Sequence, residues 1–433
     1  MREDSALKRV LFDKSIISVF ILVGLWNWLA TGEAIERISR GKGLWPETIA
    51  DLRQVNLHLQ LHFYQILSSW SQIPFSPQRV TIVYIDDKTH WTSLWGDEPT
   101  DRNYLAELIK NASQPPNQAA VIALDVELLT PGKHPAGVDE PRRAAENRKL
   151  LNEINAASER GVPIVLPTSF VQDNDQKIRL PNIYDDSALP LNESDGTCKH
   201  AACAVFGFIN APEDRRRLPL QEKIVDWDKS GSRVFQSFAL AAVAAWEGRN
   251  QLTQRYPLVA EALQKGSPIV GNFVSEVSFP KISVEDLHAG NQDAEASCRN
   301  RILLIGGRWH GNQGYGSLVD GHLGPVGVLP GVVFHANYIE SLFSQAVGKD
   351  VGVRTGIALD LAIGLACYLA FELWKGWRRV GVIILTFLIA PVVAYIFLVT
   401  KNLYLDFLLP SELYFLHLLY EYARGRSSTR HGN

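Results

Sequence analysis

The chain has 433 residues, with 43 Lys and Arg against 46 Asp and Glu, for a formal net charge of −3. That balance supplies no general field for nucleic acid, so no nucleic-acid partner is expected. The length leaves room for one large α/β domain with a full core beside apolar terminal segments. The mean hydropathy of −0.03 averages a polar middle and apolar ends.

Residues 15–32, SIISVFILVGLWNWLATG, carry no charge. Three further apolar segments follow the polar block: 355–374, broken by Asp360; 380–400; and 403–422, broken by Asp406, Pro410 and Glu412. About 20 apolar residues in a helix span the ~30 Å hydrocarbon core of a bilayer. Four transmembrane helices are therefore expected, one N-terminal and three C-terminal, with the lipid bilayer as the first partner. Lys8, Arg9 and Lys14 precede the first segment, Lys375, Arg378 and Arg379 lie between the second and third, and Arg424, Arg426 and Arg430 close the chain. The positive-inside rule puts these clusters, and hence residues 1–14 and 423–433, in the cytoplasm and exports residues 33–354. Arg37, Arg40 and Lys42 blunt the asymmetry at the first segment. A cleaved signal peptide is the rival reading of 15–32; the poor cleavage site near Ala30 to Ala34 favours an uncleaved anchor, and either reading exports the middle.

Residues 47–70 show Leu52, Val55, Leu59, Ile66 and Trp70 near helical spacing, which predicts a helix packed on its own domain or, alternatively, a homo-oligomer contact. Arg79 to Asp87 is a β-branched run ending in two carboxylates, as expected of a buried parallel strand. A helix is predicted over 101–111, a strand from Ala119 ending near Asp125 and Glu127, a helix over 140–161 and a strand over 162–170. This alternation predicts an open, mostly parallel α/β sheet. Residues 171–192 read as loop, 232–248 as a helix throughout, Ser283 as the N-cap of a short helix, 299–309 as a buried strand, and 331–347 as a helix. The Gly-rich stretch between the last two reads as a long mobile loop, because no helix follows directly to receive a phosphate.

Open α/β sheets bind ligands at the carboxyl ends of their strands. The candidate ligand-binding residues are therefore Asp86, Asp87, Arg102, Asp125, His335 and Asn337. Strand-end carboxylates facing an arginine select a cationic or zwitterionic ligand. Each also has a structural reading: an internal Asp87–Arg102 salt bridge, Asp125 capping a loop, His335 packed in the core. His310, Asp320, His322 and His335 are of metal-ligand type but lack a tight spacing, so no metal and no cofactor is expected. No catalytic triad is legible in one dimension. Cys198 and Cys203 in CKHAAC suit a local disulfide in an oxidising compartment, with two unpaired thiols or metal ligation with His200 as the alternatives. Asp360, Asp406 and Glu412 are intramembrane polar groups, and such groups face a bundle interior, a partner or water. For Asp360 a polar partner between helices is expected; Asp406 and Glu412 also fit a place near the outer interface.

VTIVYIDDKTHW, VIALDVEL, VPIVLPTSF, FGFINAPEDRRRLPL, VFQSFALAAVAA, FPKISVEDLHAG, RILLIGG and LPGVVFHANYIESLF occur in that order between Gln78 and Ala346. Framed by one apolar segment before and three after, they resemble the type-two CHASE domain, an extracellular sensor associated with bacterial adenylate cyclases and histidine kinases. The family's Trp- and Pro-rich turn before the arginine is replaced here by GDEPTDR. The resemblance implies a sensor in a bacterial inner membrane with its large domain in the periplasm or extracellular space. Family members normally continue into a cyclase or kinase module, whereas this sequence ends soon after the fourth segment. The expectation is therefore a non-enzymatic, stand-alone receptor that signals through a separate membrane or cytoplasmic effector protein. The alternative is an accessory membrane subunit that docks other proteins.

Overall fold

The computed structural model describes residues 77–90, 101–128, 140–173, 176–185, 204–212, 217–226, 231–289, 297–311, 317–324, 326–344 and 349–350, with residue 66 and scattered positions between 381 and 404. The chain divides into two compact units, Pro74–Val347 and a second composed of Met1–Ile73 with Gly348–Asn433.

The first unit begins with β1 (Val80–Asp86), α1 (Arg102–Ser113), β2 (Val121–Asp125), α2 (Glu140–Glu159) and β3 (Ile164–Thr168). Then come β4 (Phe170–Asp173), β5 (Gln176–Arg179), β6 (Ala204–Phe208), β7 (Arg217–Leu218), β8 (Gln221–Val225) and β9 (Ser232–Ser237). After these run α3 (Phe238–Glu247), α4 (Arg249–Arg255), α5 (Pro257–Lys265), β10 (Ile269–Val270), β11 (Lys281–Ser283) and α6 (Val284–Ala289). The unit closes with β12 (Ile302–Arg308), β13 (Gly321–Gly324), β14 (Gly327–Pro330) and α7 (Gly331–Ser344).

Ten strands form one sheet in the order β11-β1-β12-β2-β3-β6-β9-β8-β5-β4. It is parallel from β11 to β9 and mixed at the far edge. The expected mixed α/β architecture with a large, mostly parallel sheet is what the chain adopts. Successive side chains of a strand point to opposite faces. On β1, Val80, Ile82 and Tyr84 join one core with residues of α3 and α7. Val83 and Ile85 join the other, with residues of α1, α2 and α6. Both faces are covered, which explains why the parallel strands read as continuous apolar runs.

Three segments differ from expectation. Residues 171–192 hold the β4–β5 hairpin, because cross-strand and cation–ring contacts replace apolar alternation. The Arg179 guanidinium lies 4.6 Å from the Phe206 ring centroid and 5.3 Å from that of Phe235, and its Nε donates to Thr168 Oγ1 at 2.8 Å. The stretch 232–248 is not helical throughout. It changes from β9 to α3 at Ser237, whose Oγ accepts from Leu240 N at 3.3 Å as an N-cap. The Gly-rich segment folds back as the antiparallel β13–β14 pair, with Gly327 at φ +110° where β14 starts. The Ser283 N-cap is present, with Oγ accepting from Asp286 N at 3.0 Å.

α7 is fixed along its length by polar clamps. Asn337 Oδ1 accepts from Val274 N at 2.7 Å, its Nδ2 donates to the Val274 carbonyl at 3.2 Å, and Ser341 Oγ both accepts from and donates to the Asn272 backbone at 2.9 Å. Gly306 of β12 lets α7 approach the sheet. A Cβ there would sit 2.7 Å from Val332 Cβ and 3.2 Å from Asp125 Cβ. Gly306→Ala is expected to destabilise the protein by about 2 kcal/mol through overpacking. Chemical denaturation checks this, with Gly231→Ala, which meets nothing within 4 Å, as the near-neutral control.

In the second unit, Lys349–Asp350 (β15) pairs in parallel with Leu403–Tyr404 (β16), so the two residues that open the last apolar segment are extended. Among the described residues no helix is long and apolar enough to cross a membrane. The segments at 15–32 and 355–374 lie outside the described residues. So do most of 380–400 and 403–422, including Asp406 and Glu412, and so do Asp360 and the Cys198–Cys203 pair.

Candidate functional site: the carboxyl ends of the central strands

β1, β12 and β2 lie side by side with Tyr84 opposite Gly306, Gly306 opposite Asp125, and Asp86 opposite Arg308. Their carboxyl ends carry two separate polar clusters. In the first, Asp86 Oδ1 accepts from Thr89 N at 2.9 Å and caps the turn after the strand. Asp87 receives the His310 backbone N–H at 2.7 Å and lies 2.7 Å from His310 Nδ1. Burial works against the Asp87 charge, but the bonds from His310 and the nearby Arg308 outweigh it and hold the carboxyl below the usual range. Beside them the His90 and Trp309 rings stack at 4.3 Å.

Arg102 is elsewhere. It opens α1 behind the Asp101 N-cap, is fully buried, and donates from Nε to Asn147 Oδ1 of α2 at 2.7 Å. The carboxylate of Asp87 is thus engaged by His310, and the arginine ties two helices together. Asn337 is a clamp of α7. Asp86 and Asp87 share the first cluster; of the other candidates, Asp125 and His335 meet.

They meet in the second cluster, on the face covered by α7. His335 Nε2 is 3.8 Å from Asp125 Oδ1, with side chains 7% and 6% exposed. The distance suits an ion pair, but burial argues otherwise. Desolvation, then the charges of Asp320 and Glu127, push the Asp125 carboxyl well above its usual value. Desolvation pushes the His335 imidazole down to about 4, against the pull of Asp320. The His335 imidazole is therefore neutral at neutral pH, and burial favours the protonated form of Asp125. Among the described residues, Asp125 Oδ2 and His335 Nδ1 have no hydrogen-bond partner.

Asp320 and His322 complete the cluster. Asp320 Oδ1 lies 2.9 Å from His322 Nε2, and the Gly331 N–H donates to the Asp320 carbonyl at 2.9 Å. A Cβ on Gly331 would fall 2.0 Å from Asp320 Oδ2, so only glycine lets this carboxylate sit against the start of α7. Burial opposes the Asp320 charge, but His322, His335 and the helix N–H keep its carboxyl below the usual range. Glu127, raised by burial, accepts from Ser169 Oγ. Sequence reasoning met Asp320 and His322 only as metal-ligand types; the signal that would have joined them to Asp125 is the acid placed just ahead of a hairpin and a helix start. Asp125→Asn keeps the shape of a neutral acid and removes the cost of holding a buried ionisable group. It is expected to raise stability at pH 7 by about 1 kcal/mol, roughly 3 °C in melting temperature, checked by calorimetry.

A large, mostly parallel sheet covered on both faces, with an acid–imidazole pair at the end of one central strand, defines an α/β domain. The chain belongs to the CHASE2 domain family, whose model matches residues 47–371. CHASE2 domains are extracytoplasmic sensor domains found in signalling proteins. No curated protein and no solved structure matches the chain.

Proposed function

We propose that the protein is a membrane-anchored sensor whose exported CHASE2 domain detects a stimulus and passes it through its helices to a cytoplasmic partner, while catalysing nothing itself. The observation that carries this reading is the position of α7. It holds the buried His335 of the polar cluster, and among the described residues it is the last helix before the apolar segment at 355–374. A change at the cluster biases that helix, and coupling follows when stimulus and partner prefer different arrangements of it. Membrane anchoring draws support from the helical positions of the third apolar segment, where Leu385, Ile389, Val392, Ile396 and Phe397 are 41–53% exposed. Large apolar side chains in that array suit lipid.

Gentle-detergent affinity purification of the full chain, with mass spectrometry of what stays bound, tests the reading. A stoichiometric cytoplasmic cyclase, kinase, protease or other effector is the expected result. A stable complex of membrane or exported proteins without a signalling enzyme would overturn it in favour of a docking subunit.

A further inference from the structure

The α7 cluster carries titratable groups that the sensor reading leaves without a role, and what is inferred from them rests on that reading. His335 is more than nine-tenths buried, one turn into α7. Its ring faces the Ile209 carbonyl as a hydrogen-bond acceptor, and its Nδ1 has no partner among the described residues. A neutral ring with its proton on Nε2 therefore offers a buried lone pair at Nδ1. Phe238 of α3 lies 5.1 Å away and Phe334 6.3 Å away, centroid to centroid, and neither can take a proton. The ionisable groups around the ring are Asp125 at the end of β2, Asp320 ahead of β13, and His322 on β13, with Glu127 acting in turn on Asp125. Arg308 of β12 is turned to Glu276, 3.2 Å from its carboxylate.

We infer that this cluster is a proton-responsive centre: in acid, a proton from water binds His335 Nδ1 and places a positive charge beneath α7, shifting the helix that leads to the membrane segments. One O–H bond of hydronium breaks as the N–H bond forms, and a water molecule is left. A proton needs no cavity, and among the described residues no group of three or more His, Cys, Asp or Glu side chains is arranged to hold a metal ion. Burial sets the working range, near pH 4 for the ring. Asp320 draws the proton in and His322 opposes it, so the two neighbours tune the response in opposite directions.

The full chain in lipid nanodiscs, followed by near-ultraviolet circular dichroism from pH 7.5 to 3.5 and back with excess EDTA, tests this. A reversible transition with a midpoint near about 4 is expected, lost in His335→Gln. Asp320→Asn should move the midpoint down and His322→Gln up, each by about one pH unit. An unchanged transition in His335→Gln would overturn the inference. So would shifts of the two neighbour variants in the same direction, which mark general acid unfolding, or a transition abolished by EDTA, which marks a metal. If His335→Gln does not fold, the opposed shifts decide alone. The measurement uses no partner, so a missing transition beside a recovered signalling enzyme defeats only the proton reading. A transition without any such enzyme defeats only the receptor assignment.

Discussion

Glu340→Ala is expected to cost about 3 kcal/mol of folding stability, one of the two largest effects in this molecule. Glu340 Oε1, on the buried face of α7, accepts the backbone N–H groups of Arg79 at 2.6 Å and Val80 at 2.8 Å. These donors lie at the start of β1, a strand with sheet neighbours on both sides. Truncation leaves buried N–H groups without an acceptor as well as a cavity. The charge itself is not what stabilises. Burial raises the Glu340 carboxyl despite the N–H donors, so the ionised form carries a cost that the bonds only partly offset. Glu340→Gln, which keeps an acceptor oxygen and sheds the charge, should therefore stay within about 1 kcal/mol of the parent. Urea denaturation of the three proteins checks the ranking, and equal losses for Ala and Gln would show that charge rather than acceptor geometry matters.

Asp125→Asn should unmask a steep acid dependence of stability that the parent hides. His335 has a folded value of about 4 against an ordinary 6.5. Its contribution is fully present above pH 6.5 and is lost as pH falls toward 4. At about 1.36 kcal/mol per unit, that loss is about 3 kcal/mol for a fully buried ring. Asp125 acts with the opposite sign. Its folded value is raised, so its contribution is fully present below the ordinary carboxyl range and is lost as pH rises. Across pH 4 to 6.5 the two slopes oppose each other, and the parent profile is flattened. Removing the carboxyl leaves the histidine slope exposed. Thermal melts at half-unit pH steps check this, and parallel profiles for parent and variant would show that the two groups do not titrate as derived.

Much of the fold was legible because buried parallel strands announce themselves. VTIVYID, VIALD, IVLPT and ILLIGGR are apolar on both faces, and the helices between them carry caps such as Asp101. What escaped lacked a periodic signal. β4 and β5 pair antiparallel with Lys177 over the Phe170 ring, while Arg179 of β5 reaches Phe206 of β6, and an apolar count sees mostly polar residues there. The apolar 232–248 run fits a helix until Ser237 is recognised as an N-cap, because the residues before it pair with β8.

The candidate site divides along the same line. Asp86, Asp87 and Asp125 were found because acids that end an apolar strand stand at its carboxyl edge, which is a local property. Their partners were not, because partnership depends on strand order. Asp87 meets His310 across a separation of 223 residues only because β12 inserts between β1 and β2. Asp125 meets His335 only because Gly306 lets α7 descend onto that point of the sheet. Arg102, which the sequence sets near Asp87, is carried instead to α2 by the direction in which α1 starts.

The amino-acid sequence by itself determined the central parallel strands and the helices between them, the family and the apolar segments around the domain, because periodicity, capping and composition act over a few residues. Only the tertiary structure decided which acids face which imidazoles and which charges burial extinguishes. Both depend on strand order and register, and on a desolvation that exists only once α7 has closed over the sheet.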